Sequence, residues 1–253
     1  MILNPDVITG IWLPNGRGYK FYYNNYLEIA RVELPTGGAV EYDWGAGLDS
    51  GPASGAICYS CFPSEIYRRL RERRIYSTGG TGNTYDSRMT YSRPESYNSG
   101  NYEVNLGYVT VNQYNLSGTL LTSENHYYYG GAFASMLPAS DPTNYLPWEE
   151  GKEYEIDLLA SDGQTVLRRV NTTWAQRYHL SWWGGDSYHE PSADPYVAST
   201  TTTLFDTNQV SQTSFSYDQF NNQTDSYEYN YGTGAAGALL RHTHTDYLTT
   251  NPV

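Results

Sequence analysis

Two copies of one short pattern decide the fold of this chain: Leu13–Asn24 (LPNGRGYKFYYN) and Leu34–Gly45 (LPTGGAVEYDWG). Each copy begins with a Pro-X-Gly turn and continues into an aromatic strand that ends on a turn residue. The copies start 21 residues apart (34 − 13 = 21). A fixed period of this kind is typical of repeat proteins, in which neighbouring units cover the apolar face that one unit cannot bury alone. The pattern therefore predicts a repeated wall of strands, and it names no reaction.

Alternating side chains extend this prediction along the chain. Tyr19, Phe21 and Tyr23 share one face of a strand, because successive side chains of a strand point to opposite faces. A turn at 24–27, in which Asn tolerates the left-handed conformation, leads to a return strand at 29–34. Turn residues between alternating stretches predict further hairpins, with turns at 115–118, 161–163, 206–208 and 218–222. The sequence thus predicts an all-β fold of consecutive antiparallel hairpins, forming a curved sheet or partial β-shell without a long helix.

Four stretches interrupt the hairpins and are interpreted as long loop insertions, at about 45–65, 77–102, 130–150 and 175–198. Gly, Pro, Ser and Asn are frequent in them. Between the first two, residues 66–76 favour a strand, since arginines occupy most positions around Ile66 and Leu70. We interpret residues 1–253 as a single β segment of a larger protein, because the C-terminal residues Thr249–Val253 stop without a cap or tail.

These hairpins resemble the YD-repeat, or RHS-repeat, family. Its unit is a strand ending in Tyr-Asp, a turn that often carries Gly or Asn, and a returning strand. The best matches are Phe215–Thr224 (FSYDQFNNQT) and Glu41–Gly45 (EYDWG), and Leu13–Asn24 matches with Asn24 in place of the Asp. Looser copies are Phe205–Asn208 and Gln113–Gly118. By this resemblance, the structural residues of the repeat are Tyr42, Asp43, Tyr217 and Asp218.

The resemblance implies a spiral of β-hairpins that builds part of a hollow shell. In the family, the shell encloses a C-terminal toxin or other cargo, or presents a surface for adhesion. The implied role is structural and non-catalytic, in a bacterial protein that is secreted or displayed on the cell surface. The implied partners are neighbouring repeats of the same parent chain, an encapsulated C-terminal domain or a surface glycan. The family's self-cleaving core terminus, with its aspartate pair, has no match in this sequence.

The repeat interpretation also makes a prediction about packing. Tyr42 and Tyr217, together with Phe21 and Phe205 at related positions, should point into the space between neighbouring hairpins. The 27 tyrosines of the chain suit such a place, since a tyrosine supplies a large apolar ring while its hydroxyl reaches water or a backbone group.

Charge excludes some partners. The net charge of −12 repels nucleic acid and anionic lipid. The one basic stretch, Arg68–Arg74 (RRLRERR), is either an anion-binding patch or a run of arginines that pairs with the many carboxylates. The second interpretation is favoured, because a basic run in an acidic protein usually neutralises its own surface. The sequence shows neither a signal peptide nor a stretch of membrane-spanning length.

Metal and redox chemistry have few candidates. Cys58 and Cys61 have the C-x-x-C spacing, but a second pair for a zinc site is missing and the flanks do not fit a thioredoxin-like motif. His242 and His244 fall on one face of a strand, and Asp246 could follow as a third ligand. Surface histidines in an alternating strand are the favoured interpretation, so we expect neither a metal nor a cofactor.

Aromatic clusters give the alternatives to a structural role. Trp182 and Trp183, and the run Tyr127, Tyr128 and Tyr129, each lie beside two glycines and could stack on sugars or peptides. They make a carbohydrate-binding module the first alternative, and lining of the core the favoured one. A glycoside-processing enzyme is the second alternative, with Glu149–Glu150 or the pair Asp186 and Glu190 as its carboxylates. No motif of nucleophilic, metalloprotease or phosphate-loop type is present, so we expect no enzyme activity.

Overall fold

The computed structural model describes residues 6–46, 56–57, 66–82, 84–92, 95–97, 103–105, 108–129, 147–149, 151–176 and 192–248. In this part of the chain all regular structure is β-strand except one short 3-10 helix, Pro147–Glu149. The strands are β1 (Gly10–Trp12), β2 (Gly18–Tyr23), β3 (Ile29–Glu33), β4 (Ala39–Ala46), β5 (Ala56–Ile57), β6 (Ile66–Tyr76), β7 (Ser87–Ser92), β8 (Glu95–Tyr97), β9 (Glu103–Asn105), β10 (Tyr108–Asn115), β11 (Leu120–Tyr128), β12 (Glu153–Leu159), β13 (Val166–Ala175), β14 (Tyr196–Leu204), β15 (Gln209–Tyr217), β16 (Gln223–Thr233) and β17 (Leu239–His244). The predicted all-β chain of antiparallel hairpins is confirmed.

The chain forms two compact units. The first comprises residues 1–95 and 109–123, and its strands are hydrogen-bonded in the order β1-β2-β3-β4-β6-β7-β10. The second comprises residues 96–108 and 124–253, with the order β12-β13-β14-β15-β16-β17. Strand β11 contributes residues to each unit. Within the described residues, the outer edges of β1 and β17 pair with no other strand.

Five loops share one turn geometry. In each, the N–H of the first residue donates to the carbonyl oxygen of the fifth at 2.7–3.0 Å, and the N–H of the fourth donates to the carbonyl oxygen of the first at 3.0–3.2 Å. The fourth residue has a positive φ, between 64° and 93°. This is the compact geometry that joins antiparallel strands without breaking their twist. The first residues of the five loops are Leu13, Asn24, Leu34, Asn115 and Asp218.

A side chain at the first turn position reinforces three of these loops. The Asp218 carboxylate accepts the backbone N–H groups of Phe220 and Asn222 at 2.8 and 2.9 Å. The side-chain oxygen of Asn24 accepts two backbone N–H groups at 2.9 and 3.1 Å in the same way, and that of Asn115 accepts one at 2.9 Å. Only a short side chain with an acceptor oxygen can do this, which explains why the position after the tyrosine holds Asp or Asn.

The repeat of 21 residues corresponds to two of these turns. The first three turns of the chain begin at residues 13, 24 and 34. The turn that starts with Asn24 therefore lies between the two Pro-X-Gly turns. One repeat therefore contains two strands and two turns. In β2 the burial alternates as predicted, with Tyr19, Phe21 and Tyr23 half-buried. The left-handed residue of the middle turn is Leu27, with φ 64°, and not an Asn as the sequence suggested.

Two further sequence predictions require correction. The stretch 77–102 is not only a loop, because β7 (Ser87–Ser92) lies in it and pairs with both β6 and β10. Phe205 does not point between hairpins: it is 48% exposed, and the Arg169 guanidinium lies 5.8 Å from the centre of its ring. Phe205 directly follows the end of β14 at Leu204 and lies in the turn before β15.

The structure bears on three other predictions from the sequence. Residues 66–76 form strand β6. Phe21, Tyr42 and Tyr217 are half-buried. The Tyr217 hydroxyl donates to the carbonyl oxygen of Val197 at 3.0 Å, and its ring centre lies 4.7 Å from that of Tyr196. Strand β4 continues past Tyr42 and Asp43 to Ala46, so this copy does not end its strand at the Asp.

Candidate functional site

A row of charged residues crosses four strands of the first unit in direct register. Arg31 on β3 is opposite Glu41 on β4, Glu41 is opposite Arg74 on β6, and Arg74 is opposite Arg88 on β7. Cross-strand neighbours on one face lie close enough for their side chains to interact. The row ends on β10, where the Arg88 guanidinium lies 4.4 Å from the centre of the Tyr114 ring.

Glu41 is the centre of this row. Its carboxylate oxygens lie 2.6 Å from Arg31 Nη1, 3.3 Å from Arg74 Nε and 2.6 Å from the Tyr76 hydroxyl. Burial alone would raise the pKa of Glu41, but hydrogen bonds from Tyr76, Arg31 and Arg74 outweigh it and lower the pKa below its usual value. Burial, with Glu41 beside it, raises the pKa of Tyr76. Arg31, Arg74 and Tyr76 therefore form one hydrogen-bonded cluster around the Glu41 carboxylate.

The same cluster fixes the loop after β6. Arg31 donates to the carbonyl oxygens of Gly80 at 2.9 Å and Gly79 at 3.3 Å. The Tyr76 hydroxyl also lies 2.9 Å from the carbonyl oxygen of Gly82. Tyr76 itself is 2% exposed and packs with Ala39 and Tyr85. These contacts serve structure, since every charge in them has an opposite charge or a carbonyl as partner.

Arg74, the last residue of the arginine run 68–74, pairs with carboxylates, which is the favoured interpretation of the run. Arg74 holds both carboxylate oxygens of Asp43, at 2.6 and 3.0 Å, and lies 2.6 Å from Glu72. The hydrogen bond to Asp43 is the largest of the contacts that raise the pKa of Arg74. Asp43, expected as a turn residue of the repeat, acts here as the partner of this arginine.

The second unit has a buried ion pair between neighbouring strands. Asp157 on β12 is 1% exposed and stands opposite Arg169 on β13. Its two oxygens lie 2.7 Å from Nε and 2.7 Å from Nη2 of Arg169, a two-point geometry that suits a planar guanidinium. Glu155 adds a contact of 3.1 Å to the same arginine. The pair fixes the register of β12 against β13.

Two of the tyrosines predicted as a binding site, Tyr127 and Tyr129, belong to a row of aromatic rings in the second unit. The ring centre of Tyr127 lies 5.0 Å from that of Tyr108 and 6.2 Å from that of Tyr154. Tyr129 lies 4.5 Å from Tyr154. All four rings are half-buried, and burial raises the pKa values of Tyr127, Tyr129 and Tyr154. Each of these rings lies in contact with at least one other ring of the row.

The remaining tyrosine of the run has a different environment. Burial, and secondly the carboxylate of Glu153, raises the pKa of Tyr128 to about 12. Glu153 also lies 2.6 Å from His126 Nδ1. Trp182 and Trp183 lie outside the described residues, as do Cys58, Cys61, Glu150, Asp186 and Glu190.

Two histidines and an aspartate meet at the last hairpin. His242 Nε2 and His244 Nδ1 lie 2.8 and 2.7 Å from the same atom, Oδ1 of Asp225. His244 Nε2 lies 3.2 Å from Asp246, the partner that the sequence suggested. Asp225 was not predicted, because it lies on the neighbouring strand β16 and only the register of β16 and β17 brings it opposite His244.

The charge state of this cluster can be measured. The hydrogen bond to Asp225, and to a lesser degree the one to Asp246, raises the pKa of His244 above its usual value of 6.5. Hydrogen bonds from His242 and His244 lower the pKa of Asp225 to about 2. We expect an NMR titration of His244 to show a midpoint above 6.5 that falls in Asp225→Asn. A group whose pKa is higher in the folded state than in the unfolded state stabilises the fold at low pH, and a group whose pKa is lower in the folded state stabilises the fold at high pH. The contact should therefore be strongest between about pH 4 and 6, and a His244 midpoint unaffected by Asp225→Asn would contradict it.

Comparison with known proteins gives distant likenesses in structure alone. No family model matches the chain, and no curated protein matches it at a significant level. The crystal structure of TcdB2-TccC3-Cdc42 is similar over 80% of this chain, with 13% identity and a TM-score of 0.43. That of TcdB2-TccC3-TEV is similar over 88%, with 12% identity and a TM-score of 0.44. The chain spans about 12% of the length of each matched chain. Both TM-scores lie below 0.5, so neither likeness carries an argument about function.

None of the described residues forms a helix long and apolar enough to cross a membrane.

Proposed function

We propose that this chain is a non-catalytic structural segment of an RHS/YD-repeat-like protein, and that its hairpins form part of a wall. One observation carries the proposal: the same five-residue turn closes five hairpins, with Asp or Asn after a tyrosine in three of them. Recurrence of one turn with the same hydrogen bonds, together with the 21-residue interval in the sequence, supports a repeated unit. Each repeat then adds its strands to the sheet formed by the neighbouring repeats.

Burial supports a wall. Few of the described side chains are fully buried, and most strand residues are half-buried. The charged and aromatic groups described above are in contact with one another across neighbouring strands. A repeat protein is stabilised in this way, chiefly by contacts between each unit and the next. The wall would enclose cargo or present a surface for interaction, in a secreted or cell-surface protein.

The outer edge of β17 is where such a wall would continue. All six residues of β17 are exposed, and Leu240 is 68% exposed. Unpaired backbone groups along an edge strand favour pairing with another strand. In the proposed parent protein, that strand would belong to a neighbouring repeat.

Self-association of the chain tests this proposal. We expect concentration-dependent association in sedimentation and light-scattering experiments, despite the net charge of −12. Leu240→Lys should shift the chain towards the monomer, because a charge on an edge strand opposes edge-to-edge pairing. Leu116→Lys is the matched control: Leu116 is 61% exposed but lies in the β10–β11 turn, so the variant should associate like the wild type. A clean monomer of the wild type at high concentration would argue for a self-contained domain instead.

The row of tyrosines supports carbohydrate binding as a second candidate function. Tyr108, Tyr127, Tyr154 and Tyr129 offer adjacent aromatic rings that remain partly exposed, and such rings can stack on sugars. A glycan array separates the two functions. A structural segment should give no signal, whereas a sugar-binding module should bind a defined glycan and lose that binding in Tyr129→Ala. A panel of chromogenic glycosides tests the absence of glycoside hydrolysis in the same way.

A further inference from the structure

The last hairpin brings three metal-ligating side chains together. Asp225 on β16 is directly opposite His244 on β17, and Tyr227 is opposite His242. Since side chains two positions apart in a strand share a face, both imidazoles and the carboxylate lie on the same side of the hairpin. Their ligand atoms are all within 4.8 Å of one another. Among the described residues, no other group of three or more His, Cys, Asp or Glu side chains meets this arrangement.

One nitrogen of each imidazole faces the same oxygen of the Asp225 carboxylate. Asp225 Oδ1 lies 2.8 Å from His242 Nε2 and 2.7 Å from His244 Nδ1. A zinc ion binds such atoms at about 2.0–2.2 Å in a tetrahedron, which places neighbouring ligands roughly 3.3 Å apart. The two contacts would have to open by roughly half an ångström. Both imidazoles are well exposed, with side-chain exposures of 41% and 52%, so small rotations can provide this space.

Two further contacts orient the histidines. Asp246 lies 3.2 Å from His244 Nε2, on the side of the ring away from Asp225. A carboxylate in that position accepts the Nε2 proton and leaves the lone pair of Nδ1 for a metal, an arrangement common among metal-binding histidines. The His242 ring is stacked on Tyr227, with ring centres 4.3 Å apart and an angle of 7° between the planes. The stack supports one face of the His242 ring, whose Nε2 faces Asp225 Oδ1.

We propose that Asp225, His242 and His244 form a binding site for a divalent transition metal, with Zn²⁺ as the ion that fits best. Two imidazoles and one carboxylate suit zinc, and also copper and nickel, whereas Mg²⁺ and Ca²⁺ prefer oxygen ligands alone. Three protein ligands leave a fourth position for water or for a ligand from outside. A metal here bridges β16 and β17 and so fastens the outermost strand of this unit to its neighbour. The site is independent of the proposed structural function.

Titration with ZnCl₂ tests the site. We would measure binding by isothermal titration calorimetry in a Cys58→Ser/Cys61→Ser background, which removes the two thiols that could compete for zinc. One zinc should bind, and His242→Ala/His244→Ala should abolish that binding or weaken it at least tenfold. His126→Ala is the matched control: His126 also lies beside two carboxylates, Glu124 and Glu153, but among the described residues it belongs to no group of three metal-ligating side chains, so zinc binding should be unchanged.

The aspartate ligand needs its own variant. Asp225→Asn keeps the shape of the side chain and removes its charge, and it should weaken zinc binding roughly tenfold or more, at least as much as the loss of a group that only orients a ligand. Far-UV circular dichroism checks that each variant is folded. Zinc should raise the melting temperature of the background protein and not that of the double histidine variant. Unchanged zinc stoichiometry and affinity in a folded His242→Ala/His244→Ala variant would overturn the proposal.

Discussion

Arg169→Ala should lower the free energy of unfolding by about 3–5 kcal/mol. Asp157 is 1% exposed and receives two hydrogen bonds of 2.7 Å from this guanidinium. Removal of the arginine leaves a buried carboxylate without its cation, and the cost of that uncompensated charge exceeds the net value of the pair itself. Urea unfolding at neutral pH, followed by circular dichroism, measures the change.

Arg168→Ala is the matched control for this prediction. Arg168 is the neighbouring residue, its side chain is 44% exposed, and it lies 3.7 Å from Glu124. An exposed pair of this kind contributes about 0–1 kcal/mol. The double variant Asp157→Leu/Arg169→Met should recover much of the lost stability, because it removes both charges and retains the volume. Equal losses in Arg169→Ala and Arg168→Ala would show that burial of Asp157 is not the cause.

Tyr76→Ala should be destabilising by about 3–5 kcal/mol, the range for removal of a large buried aromatic ring. Tyr76 is 2% exposed, and its hydroxyl lies 2.6 Å from Glu41. Tyr76→Phe separates the two contributions: it keeps the ring, removes a hydrogen bond to a charged group and should cost about 1.5–3 kcal/mol. Thermal and urea unfolding of both variants measure these changes.

Tyr22→Ala controls for the general effect of losing a tyrosine in this sheet. Tyr22 is 45% exposed and lies opposite Arg31, at the edge of the same row. We expect it to cost about 1 kcal/mol. If Tyr76→Phe were as stable as the wild type, the contact with Glu41 would contribute nothing. The stabilisation from Glu41 should also decrease as the pH falls below the usual range of a glutamate, because the pKa of Glu41 is lowered in the folded state.

Local chemistry predicted the hairpins well. A turn is encoded by a few consecutive residues, so Asn24, Asn115 and Asp218 could be recognised without knowledge of the strands they join. Alternation then gave the strands on either side. Strand β7 was missed because Ser87–Ser92 (SRMTYS) has no aliphatic alternation and lies among turn-forming residues. Its place in the sheet depends on pairing with β6 and β10. Both strands are separated from β7 in sequence by residues rich in turn formers.

The clusters could be predicted only in part, because each depends on register. His242 and His244 are visible as a pair in the sequence, whereas Asp225 is 17 residues from His242 and becomes its neighbour only through the pairing of β16 with β17. Glu41 and Arg74 are brought together in the same way by β4 and β6. Asp43 matched a repeat motif in sequence, yet β4 continues through it and Arg74 takes its carboxylate. A motif specifies which residue types are present, and pairing determines which of them meet.

The two-turn composition of the repeat has a consequence for how such a chain can change in length. A unit that contains two strands returns the chain to the side from which it started. Duplication or deletion of a whole unit of 21 residues, the interval between Leu13 and Leu34, therefore leaves the direction of every later strand unaltered. Gain or loss of a single strand would reverse them all. A change of length in steps of two strands therefore preserves the direction of every strand in the sheet.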